Sequence, residues 1–281
     1  MATGNDKPPG MNVESPDFGK IYFLPNLFTA GNLLCGFFAL TWIFKYQAHP
    51  DIHFIHNSLW LILGAFACDF LDGRVARFGG KESAFGREFD SLADLVSFGV
   101  APAFMVYRIV LDEFPRTGWM VAAVYLACGA LRLARFNILC MRGATSNEFV
   151  GFPIPSAAAM VVSVTMFIIW LQEKGIIAPV GTPEHPLGPW RYALPAVMLL
   201  LSVMMVSTVK YPTFKHVDWT MRKSLATFVG ALVVLFLGLQ WPQVTLAALF
   251  VCYLVYGMVR PWVSKRLRKE IEIEEDESEV S

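Results

Sequence analysis

The chain is predicted to be an all-α polytopic membrane protein, and three observations carry that prediction. Hydrophobic residues make up 55% of its 281 residues and charged residues only 16%, with a mean hydropathy of +0.49. Eight apolar stretches are long enough to cross, or nearly cross, a bilayer. Lys and Arg gather at alternate ends of those stretches, as the positive-inside rule requires of cytoplasmic flanks. No length is left for a sizeable soluble domain.

Taken in order, residues 1–19 are polar and rich in Pro and Gly, with no cationic region leading into a cleavable apolar core. A disordered cytoplasmic tail without a signal peptide is expected. The spans then follow at Leu24–Lys45, Ser58–Phe78, Ala84–Leu111, Gly118–Leu139, Pro153–Leu171, Tyr192–Val209, Leu225–Leu239 and Val244–Val263, the seventh being short. Pro153 and Pro155 mark the start of the fifth. Lys7 and Lys20; Arg74, Arg77, Lys81 and Arg87; Arg132, Arg135 and Arg142; Lys210, Lys215, Arg222 and Lys223; and Arg260, Lys265, Arg266, Arg268 and Lys269 all fall on one side. They are 18 of the 23 basic residues, so both termini are expected in the cytoplasm. The acidic tail from Glu270 follows a basic juxtamembrane run that can bind anionic headgroups or stay solvated.

The chemistry is concentrated between residues 69 and 94, in the pattern Asp69-x-x-Asp72-Gly73-x-x-Ala76-Arg77, eight residues, then Gly86-x-x-x-Asp90-x-x-x-Asp94. Residues three or four apart share a helix face, so Asp69, Asp72, Gly73 and Ala76 form one stripe and Gly86, Asp90 and Asp94 another. A charged Asp at the centre of a membrane helix costs on the order of 3 kcal/mol, so four together require cations. Carboxylates without thiol or imidazole make a hard oxygen site suited to Mg2+ or Mn2+, and balancing four negative charges favours two ions. Arg77 offers a planar fork to phosphate. The plainer alternative is a set of solvated helix-capping carboxylates paired with Arg74, Arg77 and Arg87, which leaves the common register unexplained.

Other polar features carry less. The five Cys are scattered singly and read as packing residues. His49, His53 and His56 lie in the first outward loop beside Pro50 without supporting ligands. Neutral net charge and dispersed aromatics give no support to nucleic-acid binding.

The Asp69 to Asp94 string resembles, at every fixed position, the signature of the CDP-alcohol phosphotransferase family. Leu24-Pro-Asn-Leu-Phe-Thr29, the run from Asp90 to Pro102, Arg132-Leu-Ala-Arg-Phe-Asn137, Gly151-Phe-Pro-Ile-Pro155 and Lys210-Tyr-Pro-Thr-Phe-Lys215 are similar to its phosphatidylserine synthase branch. That resemblance implies a six-helix transmembrane core at residues 20–223, about two extra C-terminal helices at 224–263, a charged tail at 264–281 and a homodimer. It implies CDP-diacylglycerol as donor and L-serine as acceptor. It makes Asp69, Asp72 and Asp90 metal ligands, with Asp94 a further ligand and the general base. Asn26, Thr29, Gly73, Ala76, Arg77, Ser83 and Gly86 would bind the donor, although Ser83 serves equally as a helix cap. Arg132, Arg135 and Asn137 are candidates for serine; both arginines suit equally a role as membrane anchors or partners of the Asp cluster, and Asn137 a backbone contact. Lys210 and Lys215 suit lipid phosphate as well as substrate.

Two alternatives remain open on the sequence. The same chemistry can serve glycerol 3-phosphate, inositol phosphate or choline, though a phosphorylated acceptor calls for a denser basic pocket. A cation transporter also places carboxylates in a membrane, but here the acids sit toward one face with no matching acidic pair in the second half. Lack of a targeting extension points to a bacterial inner membrane.

Overall fold

A computed structural model describes residues 23–78, 84–141, 148–177, 187–212 and 225–259. Helix α1 (Phe23–Ala48) turns back into α2 (Ile52–Phe78), and the turn is set by Asp51, whose Oδ1 accepts the His53 amide at 3.0 Å. The third span is composite: α3 (Ala84–Asp94), a π-helical stretch at Leu95–Val100, and α4 (Ala101–Ile109). After it come α5 (Gly118–Met141), α6 (Ile154–Glu173), α7 (Ala193–Val206), α8 (Leu225–Gln240) and α9 (Pro242–Val259). Strands β1 (Glu148–Val150) and β2 (Lys210–Pro212) form a small antiparallel ribbon with Phe149 opposite Tyr211.

Seven of these spans are long and apolar enough to cross a membrane, so the protein is an integral membrane protein of all-α architecture. The exception is α8, whose 16 residues reach only about 24 Å against a hydrocarbon core of about 30 Å. Its shortness is as the sequence suggests.

The bundle has an inside and a rim. In α6 and the third span 67% and 61% of the membrane-spanning window is buried, against 28% or less in the others, so these two form the centre. Helix α6 can sit there because Ala157, Ala158 and Ala159 admit close neighbours, which is how helices associate where lipid removes the hydrophobic incentive. Its Ser163 and Thr165 return their hydroxyls to the carbonyls of Met160 and Val161, leaving no stranded donor. Outward, Leu34, Phe37, Phe44, Trp60, Val203 and Phe236 present the apolar surface that acyl chains cover.

The π stretch is absent from the sequence reading, which runs one helix from Ala84 to Leu111. Its wider winding sends the Ala101 amide to the Val96 carbonyl five residues back, and the Tyr125 hydroxyl of α5 donates to the Phe98 carbonyl at 3.1 Å. A side chain from a neighbour thus restores part of what the irregular backbone gives up.

Candidate active site

Antiparallel packing brings the start of α1, the end of α2, the start of α3 and the end of α5 to one end of the bundle. Gly31 faces the Cys68 sulfur and Gly64 faces that of Cys35, both across ordinary contact distances, so α1 and α2 lie close beside the first acids. Asp69 and Asp72 from α2 and Asp90 from α3 place carboxylate oxygens within 4.8 Å of one another. The two stripes expected from the spacing do converge.

Asp94 lies beside this group, buried to 5% exposure, and within electrostatic range of Asp69, Asp90 and Asp72. Helix α1 holds two of the four acids by neutral donors. Thr29 Oγ1 donates to Asp72 Oδ2 at 2.9 Å, and Asn32 Nδ2 donates to Asp94 Oδ1 at 2.9 Å. Asn32 is itself fixed: its backbone carbonyl accepts the Ser97 hydroxyl from the π stretch at 2.8 Å. At Gly36, one turn on, a Cβ would collide with Ser97, so α1 and the π stretch approach only because position 36 has no side chain.

Neither Asn32 nor Ser97 was among the residues expected from the sequence. Asn32 could have been found: a fully buried amide within an apolar span, three residues after Thr29, is a polar group that needs a partner. Ser97 carried no such signal, because its neighbour is 65 residues away.

The remaining expected residues divide. Around Gly73 a Cβ would meet no atom of the described residues within 4 Å, and Gly86 is half-buried on α3. Asn26 is half-buried on α1 with its Nδ2 lacking a hydrogen-bond partner among the described residues. Ala76 and Arg77 continue α2, but their side chains, and the whole of Ser83, lie outside the described residues.

On α5 the three polar residues do different work. Arg132 is buried, its guanidinium 5.6 Å from the Phe136 ring centre and within electrostatic range of Asp94 and Asp69. Arg135 turns the other way and donates from Nη1 to the Val206 carbonyl and from Nη2 to the Ser207 carbonyl, both at 3.2 Å, capping the end of α7 with positive charge. Asn137 Nδ2 donates to Ser91 Oγ at 3.0 Å, which donates in turn to the Arg87 carbonyl. That pair pins α5 to α3 between Asp90 and Asp94, and Asn137 Oδ1 is a buried acceptor with no partner among the described residues. The β1–β2 ribbon explains two further motifs. It joins the strings around Gly151 and Lys210, with Gly151 at φ +82° passing its amide to the Val209 carbonyl beside Arg135. The side chain of Lys210, and Lys215 altogether, fall outside the described residues.

Comparison with known proteins identifies the family. The family model described as CDP-alcohol phosphatidyltransferase matches residues 22–209. A CDP-diacylglycerol–serine O-phosphatidyltransferase of Helicobacter pylori is 37% identical over 243 residues, covering 86% of this chain and 92% of that protein. One of the same name from Bacillus subtilis is 35% identical over 193 residues, covering 69% and 92% respectively. Another from Saccharomyces cerevisiae is 35% identical over 153 residues, covering 52% and 53%. With the family model matched from the start of α1 to just past α7, a stretch of six membrane-crossing spans, the chain belongs to the CDP-alcohol phosphatidyltransferase family.

Proposed function

We propose that this protein transfers the phosphatidyl group of CDP-diacylglycerol to the hydroxyl of L-serine, giving phosphatidylserine and CMP. The observation that carries the reading is the meeting of Asp69, Asp72 and Asp90 oxygens within 4.8 Å, with Asp94 buried alongside. The names of the relatives support the choice of donor and acceptor.

The donor set fits a hard divalent ion. Oxygens bound to one such ion at about 2.0–2.6 Å lie up to roughly 4–5 Å apart, which the three carboxylates satisfy, and among the described residues the group is of carboxylates alone. Asp69, Asp72 and Asp90 would hold Mg2+ or Mn2+, with Asp94 a further ligand where two ions bind. Such ions supply positive charge for a pyrophosphate and for a departing nucleotide phosphate.

The chain's own groups do the rest. Gly73, Gly86 and Ala76 leave room for the nucleotide against the helices, while Asn26, Thr29, Arg77 and Ser83 offer donors to its phosphates and base. Asp94 takes the proton of the serine hydroxyl as that oxygen attacks the phosphorus bearing diacylglycerol. The bond from phosphorus to the CMP oxygen breaks, and CMP leaves with the electron pair. Asn32 holds one Asp94 oxygen and so fixes the direction in which the other accepts the proton. Arg132 lies beside the acids and is the group best placed for the acceptor's carboxylate; the Asn137 Oδ1 can take a hydrogen bond from its ammonium. The guanidinium of Arg135 is engaged by α7, which favours a supporting role for it.

The distribution of Lys and Arg supports a cytoplasmic face for this end of the bundle, where serine and CMP are soluble, with CDP-diacylglycerol entering sideways from the lipid. A bacterial inner membrane and a homodimer complete the proposal.

The test is to purify the protein into lipid nanodiscs and supply CDP-diacylglycerol with serine, glycerol 3-phosphate, inositol phosphate or choline in turn. CMP release should depend on serine and on Mg2+ or Mn2+, and stop with chelator. Faster release with another alcohol would reassign the acceptor. Absence of CMP release with every alcohol would overturn the enzymatic reading in favour of cation transport.

A further inference from the structure

Helix α1 meets the acids through two side chains, and one of them has an atom to spare. Thr29 and Asn32, three residues apart on one face of the helix, donate to Asp72 and Asp94 at 2.9 Å each. A carboxylate only accepts, so the Asn32 amide gives its nitrogen to Asp94 and keeps its oxygen for something else. That oxygen, Oδ1, is buried and has no hydrogen-bond partner among the described residues. The whole residue is closed to solvent, and native membrane interiors strand few acceptors in this way.

The amide is also rigidly mounted. Ser97 of the π stretch donates to the Asn32 backbone carbonyl at 2.8 Å, and one turn on, Gly36 packs so closely on Ser97 that a Cβ would collide. Covalent geometry sets the amide oxygen about 2.2 Å from its nitrogen, which leaves it no more than about 5 Å from Asp94 Oδ1. Two oxygens that share one divalent ion, each at about 2.0–2.6 Å from it, fall within the same reach.

Whatever meets Oδ1 has to donate a proton or carry positive charge, and the nearest polar neighbour, Asp94, is an acid. A carboxamide oxygen is a hard, neutral ligand of the kind that Mg2+ and Mn2+ take. It fills a coordination position without adding charge, which suits a site where four carboxylates already balance two such ions. We infer that Asn32 Oδ1 is a direct ligand of a divalent ion shared with Asp94, a fifth protein oxygen that α1 adds to the four acids. This rests on the metal-dependent reading proposed above. Asn32 then has two tasks, one for each end of its amide.

The experiment measures Mn2+ and Cd2+ binding to the full-length protein in nanodiscs without substrate, together with thermal unfolding, for wild type, Asn32→Leu, Asn32→Asp and Asn32→Cys. Asn32→Leu should raise the Mn2+ Kd about tenfold or more, and Asn32→Asp, which also loses the donor to Asp94 but keeps an oxygen, should bind Mn2+ within about threefold of wild type. Asn32→Cys puts a soft atom in the place of a hard one. It should favour Cd2+ over Mn2+ and give a thiolate-to-cadmium absorption that wild type, with its own Cys35 and Cys68, does not show. Absence of that absorption in a folded Asn32→Cys protein would overturn the inference and leave Asn32 acting only through Asp94. Should the Cys variant not fold, equal weakening in Asn32→Leu and Asn32→Asp overturns it in the same way. Mn2+ binding unchanged in Asn32→Leu would assign Oδ1 to a buried water. If wild type itself binds no Mn2+, the metal-dependent reading falls, and the ligand role with it.

Discussion

The two ends of the bundle treat charge in opposite ways. At the end away from the signature acids, Arg108 pairs with Asp112 at 2.8 Å, Arg191 pairs with Glu113, and the Tyr192 hydroxyl adds a 2.9 Å bond to the same Glu113. His56 approaches Glu173 at 3.6 Å. Asp112 and Glu113 there each have an arginine of the chain beside them. At the other end, Asp69, Asp72 and Asp90 crowd their oxygens together, and neutral groups, Thr29 and Asn32, donate to Asp72 and Asp94. Paired charges hold a structure in place; like charges that outnumber the cation near them, here Arg132, raise its energy and favour further positive charge. The contrast separates scaffold from site without reference to any relative.

Substitutions sharpen that contrast. The largest effect is expected at Asp94→Asn, which keeps the shape and removes the base: turnover should fall by about 10²–10⁴-fold while CDP-diacylglycerol binding persists. A variant that turned over normally would remove Asp94 from proton transfer. Next comes Asn32→Leu, which leaves Asp94 without its amide donor and should lower kcat about 10–100-fold with donor binding less affected. Turnover unchanged in that variant would show that Asp94 needs no orientation from α1. At the opposite end Glu113→Gln should leave turnover unaltered and lower stability by at most about 1 kcal/mol, because the Arg191 pair is partly solvated. A marked loss of activity there would mean the two ends are coupled.

What could be read from the letters was whatever repeats along a helix. The acids at 69, 72, 90 and 94 keep a three- or four-residue rhythm, so their convergence followed from α-helical geometry and a short connection. Seven of the eight expected spans, all but the short α8, followed from uninterrupted apolar runs in the same way. Contacts without rhythm were hidden. Asn32 meets Ser97 and Asp94 across 65 and 62 residues, and Tyr253 reaches Phe152 over a greater distance still. The ribbon was missed because three-residue strands show no alternation. The π stretch was missed because its residues, Leu95 to Val100, are as apolar as a regular span demands.

That wider turn has a consequence for how the gene can change. A π stretch accommodates an additional residue in an otherwise α-helical segment, and each residue of an α-helix advances the chain by about 100°. Deleting one residue between 95 and 100 would let the span rewind regularly with Asp90 and Asp94 keeping their bearing on the turns beyond, whereas deleting one from the regular turn at 101–104 would swing them by about 100° relative to Met105 and Ile109, which are locked in the interior. One set or the other would then face lipid. The wide turn thus tolerates the loss of a single codon that the regular turns beside it do not.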